Sequence, residues 1–200
     1  MKTRIIDKFN LDSRAKILLY VSLIASFAIG LLGPIYAIFV EEIGGSILDA
    51  GIAYAIFSIF TGILIISFGS TKFFARNTKK IVVIGYFILA LGNLGYLLVK
   101  SPIHLFIVQV VLGIAIGILE PAWDSIYAAR LSEKQECKRW SLWSGSTYFL
   151  VGLAAIFGGF IASTFSFKIL FLIMGALSLI SAIISISILK RTDKKEEKAK

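Results

Sequence analysis

The chain has 200 residues, of which 58 % are apolar and 16 % charged, with a formal net charge of +9. Globular chains carry about 25 % charge, and a soluble chain of this size could not hide so much apolar surface from water. That excludes a soluble enzyme, a disordered tail and a coiled coil.

The apolar residues fall in long blocks rather than in alternation, which also argues against an outer-membrane barrel. A membrane-crossing helix needs about 20 mostly apolar residues. Six such runs follow one another in chain order, at 17–40, 47–68, 81–99, 103–128, 142–164 and 169–189. The expected fold class is an all-α integral membrane protein with six transmembrane helices. Residues 1–16 form a cytoplasmic N-terminal segment whose Ile5, Ile6, Phe9 and Leu11 among charges suit the membrane surface. Residues 190–200 form a charged cytoplasmic tail. The first apolar run is too long for a signal-peptide core and contains Gly30, Gly33 and Pro34.

Orientation follows from Lys and Arg, which stay on the cytoplasmic side. With six spans, nineteen of the twenty-one basic residues fall on one side, and only Lys100 and Lys168 on the other. Both termini are therefore expected in the cytoplasm, with the chain multi-pass in the cytoplasmic membrane. The positive charge is then topogenic, and nucleic-acid binding is not expected. Cys137 falls in a cytoplasmic loop, where a thiol stays reduced.

The two halves of the chain echo each other. Gly30-Leu-Leu-Gly33-Pro34 in span 1 matches Gly117-Ile-Leu-Glu120-Pro121 in span 4 at an offset of 87 residues. Gly62 and Gly69 match Gly152 and Gly159, and Gly85 matches Gly175, at an offset of 90. Since span 1 runs outward and span 4 inward, the halves form a 3+3 inverted repeat of the kind transporters use. Glycines are common in membrane helices, so some of these matches are expected by chance. Pro34 and Pro121 each remove an amide hydrogen bond and displace the carbonyl four residues earlier, at Gly30 and Gly117. Helices 1 and 4 are expected to bend there and to line a cavity.

On a helical projection, Gln109, Gly113, Gly117, Glu120 and Asp124 fall within an arc of roughly 80°, with Trp123 at its border. Ser22, Ser26, Gly33 and Tyr36 share a comparable arc of span 1. Polar stripes face protein or water rather than lipid. A charge at a helix centre costs about 2.5–3.5 kcal/mol on insertion scales, so Glu120 needs a compensating role. It can bind a proton or a cationic solute, with Asp124 one turn below. It can equally be a structural carboxylate, neutralised by an arginine or held protonated. Gln109 and Tyr36 read equally as ligand contacts or as interhelical hydrogen bonds. Trp140 and Trp143 are expected in the interfacial aromatic belt.

Catalytic chemistry finds no support. The one histidine, His104, and the Ser144-Gly-Ser146 stretch fall at opposite ends of their spans, which leaves no serine–histidine pair. One histidine and one cysteine make no zinc or haem site. No cofactor, metal or enzymatic activity is expected.

Six spans, an inverted repeat and a basic connection between spans 2 and 3 resemble the N-terminal half of a major facilitator superfamily transporter, over residues 17–189. The family's span 2–3 motif is Gly-x-x-x-Asp-Arg-x-Gly-Arg-Lys. The basic Arg76, Lys79 and Lys80 match it, with Ala75 in the aspartate position and Gly69 two residues early. In span 4 the family often has Arg-x-x-x-Gly, where this chain has Gln109 and Gly113. The span 5 antiporter pattern keeps Gly158-Gly159 without Gly-Pro, which argues against the usual drug/proton antiport. The resemblance implies a half-size secondary transporter that moves a small solute by alternating access. Full transporters of the family have twelve helices in two parallel halves, so a homodimer or a second half-transporter is the expected partner. The resemblance places half-to-half contacts on helices 2 and 5. A non-transporting membrane scaffold or accessory subunit that kept the fold is the alternative.

Overall fold

The computed structural model describes residues 13–69, 71–129 and 136–190. The N-terminal segment before Ser13, the basic residues Arg130 and Lys134, and the tail beyond Lys190 lie outside the described residues. Every regular element among the described residues is helical, and six helices are long and apolar enough to cross a membrane.

Span 1 is α1 (Ser13–Gly30), a 3-10 turn at Gly33–Ile35 and α2 (Tyr36–Glu42). The helix breaks where Gly30, Gly33 and Pro34 stand, and Pro34 has no amide to bond the carbonyl of Gly30. Gly44 then turns the chain with φ of 80°, a conformation that glycine adopts without a Cβ penalty. Span 2 is α3 (Ile47–Gly69). Its polar intruder, Asp49, belongs to a cap: its carboxylate accepts from the Ser46 amide and hydroxyl, both at 2.7 Å, and its own amide donates to Ser46 Oγ.

Span 3 is α4 (Lys72–Gly95), extended by a 3-10 turn at Tyr96–Leu98. It begins nine residues before the expected start at 81. Arg76, Lys79 and Lys80 therefore sit on its first turns and not in a loop. Thr71 caps it by accepting from the Phe74 amide, and Phe74 is buried. Span 4 is α5 (Pro102–Ala128), unbroken through Pro121. Span 5 is α6 (Glu136–Thr164), and span 6 is α7 (Phe167–Ser185) with a short α8 (Ser187–Lys190).

The helix pairing is two-fold in pattern. α3 packs on α5, and α1 packs on α6; α5 packs on α4, and α1 packs on α7; α4 and α7 meet in the middle. Exchanging spans 1, 2 and 3 for 4, 5 and 6 leaves this set of neighbours unchanged, as an inverted 3+3 repeat demands. Small residues permit the close crossings. A methyl group added at Gly117 would stand 2.7 Å from Leu64 Cβ, and one at Gly30 would stand 3.0 Å from Ala154 Cβ. Gly158 lies directly against the backbone of Leu31. Buried polar side chains stitch further pairs: Asn93 Nδ2 donates to Ser178 Oγ at 2.7 Å between α4 and α7, and Ser181 Oγ donates to the Val21 carbonyl between α7 and α1.

Burial is uneven. The core is drawn chiefly from α1, α4, α5 and α7. α3 buries only Ala50 and Ala53, and α6 only Arg139, Ala154 and Gly158. These two helices flank the bundle and present apolar faces outward, among them Ile59, Ile63, Ile66, Ile156 and Phe160.

Candidate functional site

Two recesses lie end to end between α1, α4 and α5. Their separation follows from helix geometry: Gln109 and Glu120 are eleven residues apart on α5, roughly 16 Å at 1.5 Å per residue.

The recess towards the end remote from the termini has a volume of 310 Å³ and an apolar, aromatic wall that includes Tyr36, Tyr54, Phe57, Tyr96 and Met174. Its polar centre is Gln109. The side-chain amide donates to the Tyr36 hydroxyl at 2.9 Å and to the Tyr96 hydroxyl at 3.0 Å, joining α5 to α2 and to the end of span 3. Asn93 lines the same recess. Among the described residues its lining contains no ionisable side chain other than tyrosine.

The recess towards the termini has a volume of 220 Å³ and carries Ser22, Ser26, Glu120, Asp124, Tyr86, Trp123 and Trp143 in its wall. Glu120 is exposed on the chain taken alone, and Asp124 is half-buried one turn further on. Among the described residues no basic side chain lines this recess. The indole faces are fixed by their edges: Trp123 Nε1 donates to the Leu18 carbonyl at 3.4 Å, and Trp143 Nε1 to Ser22 Oγ at 3.3 Å. Ring contact adds to this, with Trp123 and Trp143 centroids 4.9 Å apart and Trp123 and Tyr127 centroids 4.7 Å apart. Tyr127 in turn donates to the Arg139 carbonyl at 2.8 Å, tying α5 to the start of α6.

Ile29, Leu89 and Ile116, one each from α1, α4 and α5, line both recesses. They form an aliphatic collar between a neutral compartment and an acidic one. Such an arrangement can hold a small organic molecule and pass it along the bundle. Among the described residues no three His, Cys, Asp or Glu side chains come together to hold a metal ion.

The sequence-derived residues divide between these compartments. Tyr36 and Gln109 meet in the neutral recess, and Ser26, Glu120, Trp123 and Asp124 in the acidic one. Gly30 and Gly117 serve helix contacts with α6 and α3. Pro34 and Pro121 line neither recess. Trp140 and Trp143, expected at the membrane interface, pack on Trp123 in one aromatic cluster. Sequence reasoning did not single out Tyr86, Asn93 or Tyr96. Asn93 did leave a signal, as an amide inside an apolar run.

The family model of the Major Facilitator Superfamily matches residues 18–200. An uncharacterized MFS-type transporter of Methanocaldococcus jannaschii is 24 % identical over 157 residues, which cover 78 % of this chain and 40 % of that protein. The match thus spans less than half the length of that relative.

Proposed function

From the membership of this chain in the major facilitator superfamily, we propose that it moves a small solute across the cytoplasmic membrane by alternating access. The observation that carries this reading is the pair of recesses joined at the collar of Ile29, Leu89 and Ile116. A solute passes the collar when α1 and α5 shift relative to α4. Both termini lie in the cytoplasm, on the basic side of the bundle.

Glu120 is the residue on which solute binding or ion coupling turns. It stands beside Asp124 in a wall that has no basic side chain among the described residues. Gln109 and Tyr36 orient the solute in the neutral recess, and Ser26 and Trp123 complete the acidic one.

A second six-helix unit covers the outward faces of α3 and α6, supplied by another copy of this chain or by a second half-transporter. What supports this is a set of four open glycine positions: a methyl group added at Gly62, Gly145, Gly152 or Gly159 would meet nothing within 4 Å. Small residues let membrane helices approach closely, and an added Cβ at these four positions would meet none of the described residues within 4 Å.

The test is a stability screen of small solutes on purified protein, followed by uptake into proteoliposomes of any solute that raises Tm. Uptake is expected to saturate and to fall at least about tenfold in Glu120→Gln, on the scale of one charge contact at membrane depth. Saturable uptake left unchanged by Glu120→Gln contradicts the role given to this carboxylate.

A further inference from the structure

The transport reading leaves the chemical class of the solute open. The acidic recess narrows it. Two carboxylates, Glu120 and Asp124, stand one helical turn apart in a wall that, among the described residues, contains no Lys, Arg or His. Apart from Ser22 and Ser26, the other walls are aromatic and aliphatic, with Tyr86, Trp123, Trp143, Leu119 and Ile116 among them. Tyr86 is 1 % exposed, lines this recess and has no hydrogen-bond partner among the described residues. Its hydroxyl is available to a molecule in the recess.

The geometry points to a monovalent organic cation as the solute: an alkylated ammonium head beside Glu120 and Asp124, with an apolar body reaching past the collar. This inference rests on the transport reading and specifies its substrate. Each feature of the wall has a use for such a molecule. The carboxylates supply the charge. Trp123 and Trp143 give the recess an aromatic wall against which the ammonium methyl groups pack. The Tyr86 hydroxyl oxygen accepts from an N–H or faces the cationic methyl groups. The neutral recess beyond Ile29, Leu89 and Ile116, walled by Tyr36, Tyr54 and Phe57, takes the apolar part.

Competing classes fit less well. An anion meets two like charges. A metal ion asks for more oxygen, nitrogen or sulfur donors than two carboxylates, and no third metal-ligating side chain joins them among the described residues. A bare proton answers the charge but leaves the aromatic walls unused.

The chain itself provides the readout. It has three tryptophans, and Trp123, Trp140 and Trp143 form one ring cluster, of which two members line the recess. The full chain in detergent is titrated with benzyltrimethylammonium while tryptophan fluorescence is recorded. Neopentylbenzene, its uncharged isostere, and benzenesulfonate are titrated in parallel, and empty micelles carrying N-acetyltryptophanamide correct for direct quenching.

The expected result is a saturable change with the ammonium compound alone, weakened about tenfold or more in Glu120→Gln and in Asp124→Asn, the scale of a desolvated cation contact. Glu120 is exposed, so its variant tests binding without disturbing the core. Tyr86→Phe keeps the ring and is expected to weaken binding less. An equal response to neopentylbenzene overturns the inference. So do unchanged binding in both carboxylate variants and a response to pH with none to the ammonium ion. Saturable binding without flux into proteoliposomes upholds the cation site and overturns the carrier reading instead.

Discussion

Gln109 is the most constrained polar side chain in the neutral recess, because one amide serves two tyrosines on different helices. Interhelical hydrogen bonds in membranes average about 0.6 kcal/mol. Gln109→Leu is therefore expected to lower stability by about 1 kcal/mol for the two bonds, and Tyr36→Phe by about half of that. A double-mutant cycle in detergent, read by thermal unfolding, checks this: coupling is expected between Gln109 and Tyr36, and strict additivity contradicts it. The cap at Ser46 and Asp49 makes a second residue-scale prediction. Asp49→Ala removes the acceptor for the Ser46 amide and hydroxyl and is expected to cost about 1 kcal/mol of α3 stability. Helical circular dichroism on heating measures it. Legibility at this scale followed chemistry. Gln109, Glu120 and Asp124 stood out because polar groups are rare in apolar runs. Tyr86 and Tyr96 did not, because a tyrosine inside a span reads as part of its apolar body until its hydroxyl is placed.

At the scale of the helix, spacing in sequence was a good guide to the spans and a poor one to their ends. α4 begins at Lys72, although the charges at Arg76, Lys79 and Lys80 argue against membrane burial there. A helix does not stop where the bilayer does; it stops where its cap is, and Thr71 supplies the cap. The two prolines also behave differently. Pro34 coincides with a break between α1 and α2, whereas α5 continues through Pro121. α5 is packed along its length by α3 on one side and α4 on the other, and these neighbours hold it through the missing hydrogen bond. The close crossings define a third prediction. Gly117→Leu pushes into Leu64 and Thr61 of α3 and is expected to destabilise the fold by about 1–3 kcal/mol, the usual penalty of overpacking. Gly152→Leu, placed where nothing stands within 4 Å, is expected to leave the melting temperature of the isolated chain unchanged. Equal losses in the two variants contradict the assignment of inward and outward glycines.

The whole molecule is a bundle with a finished interior and an unfinished flank. The exchange symmetry of its helix pairs was visible in the sequence as repeated glycines and prolines at near-constant offsets. The uneven burial was not, because composition does not distinguish lipid from a second protein. If another six-helix unit covers these helices, Gly62→Leu combined with Gly152→Leu lowers self-association in native membranes without lowering stability. Cross-linking yield against melting temperature separates the two effects, and unchanged cross-linking removes the support that these glycines give to pairing.

The central claim is that the space between α1 and α5 opens to either side of the membrane in turn. In a Cys137→Ser background, single cysteines at Ser26 and at Gly33 place one thiol in each recess. Sealed vesicles of both orientations are treated with a membrane-impermeant maleimide. Alternation predicts that each thiol is labelled from both sides, and that trapping one recess open by cross-linking abolishes labelling from the opposite side. Labelling of each thiol from a single side, unaffected by such trapping, contradicts the account.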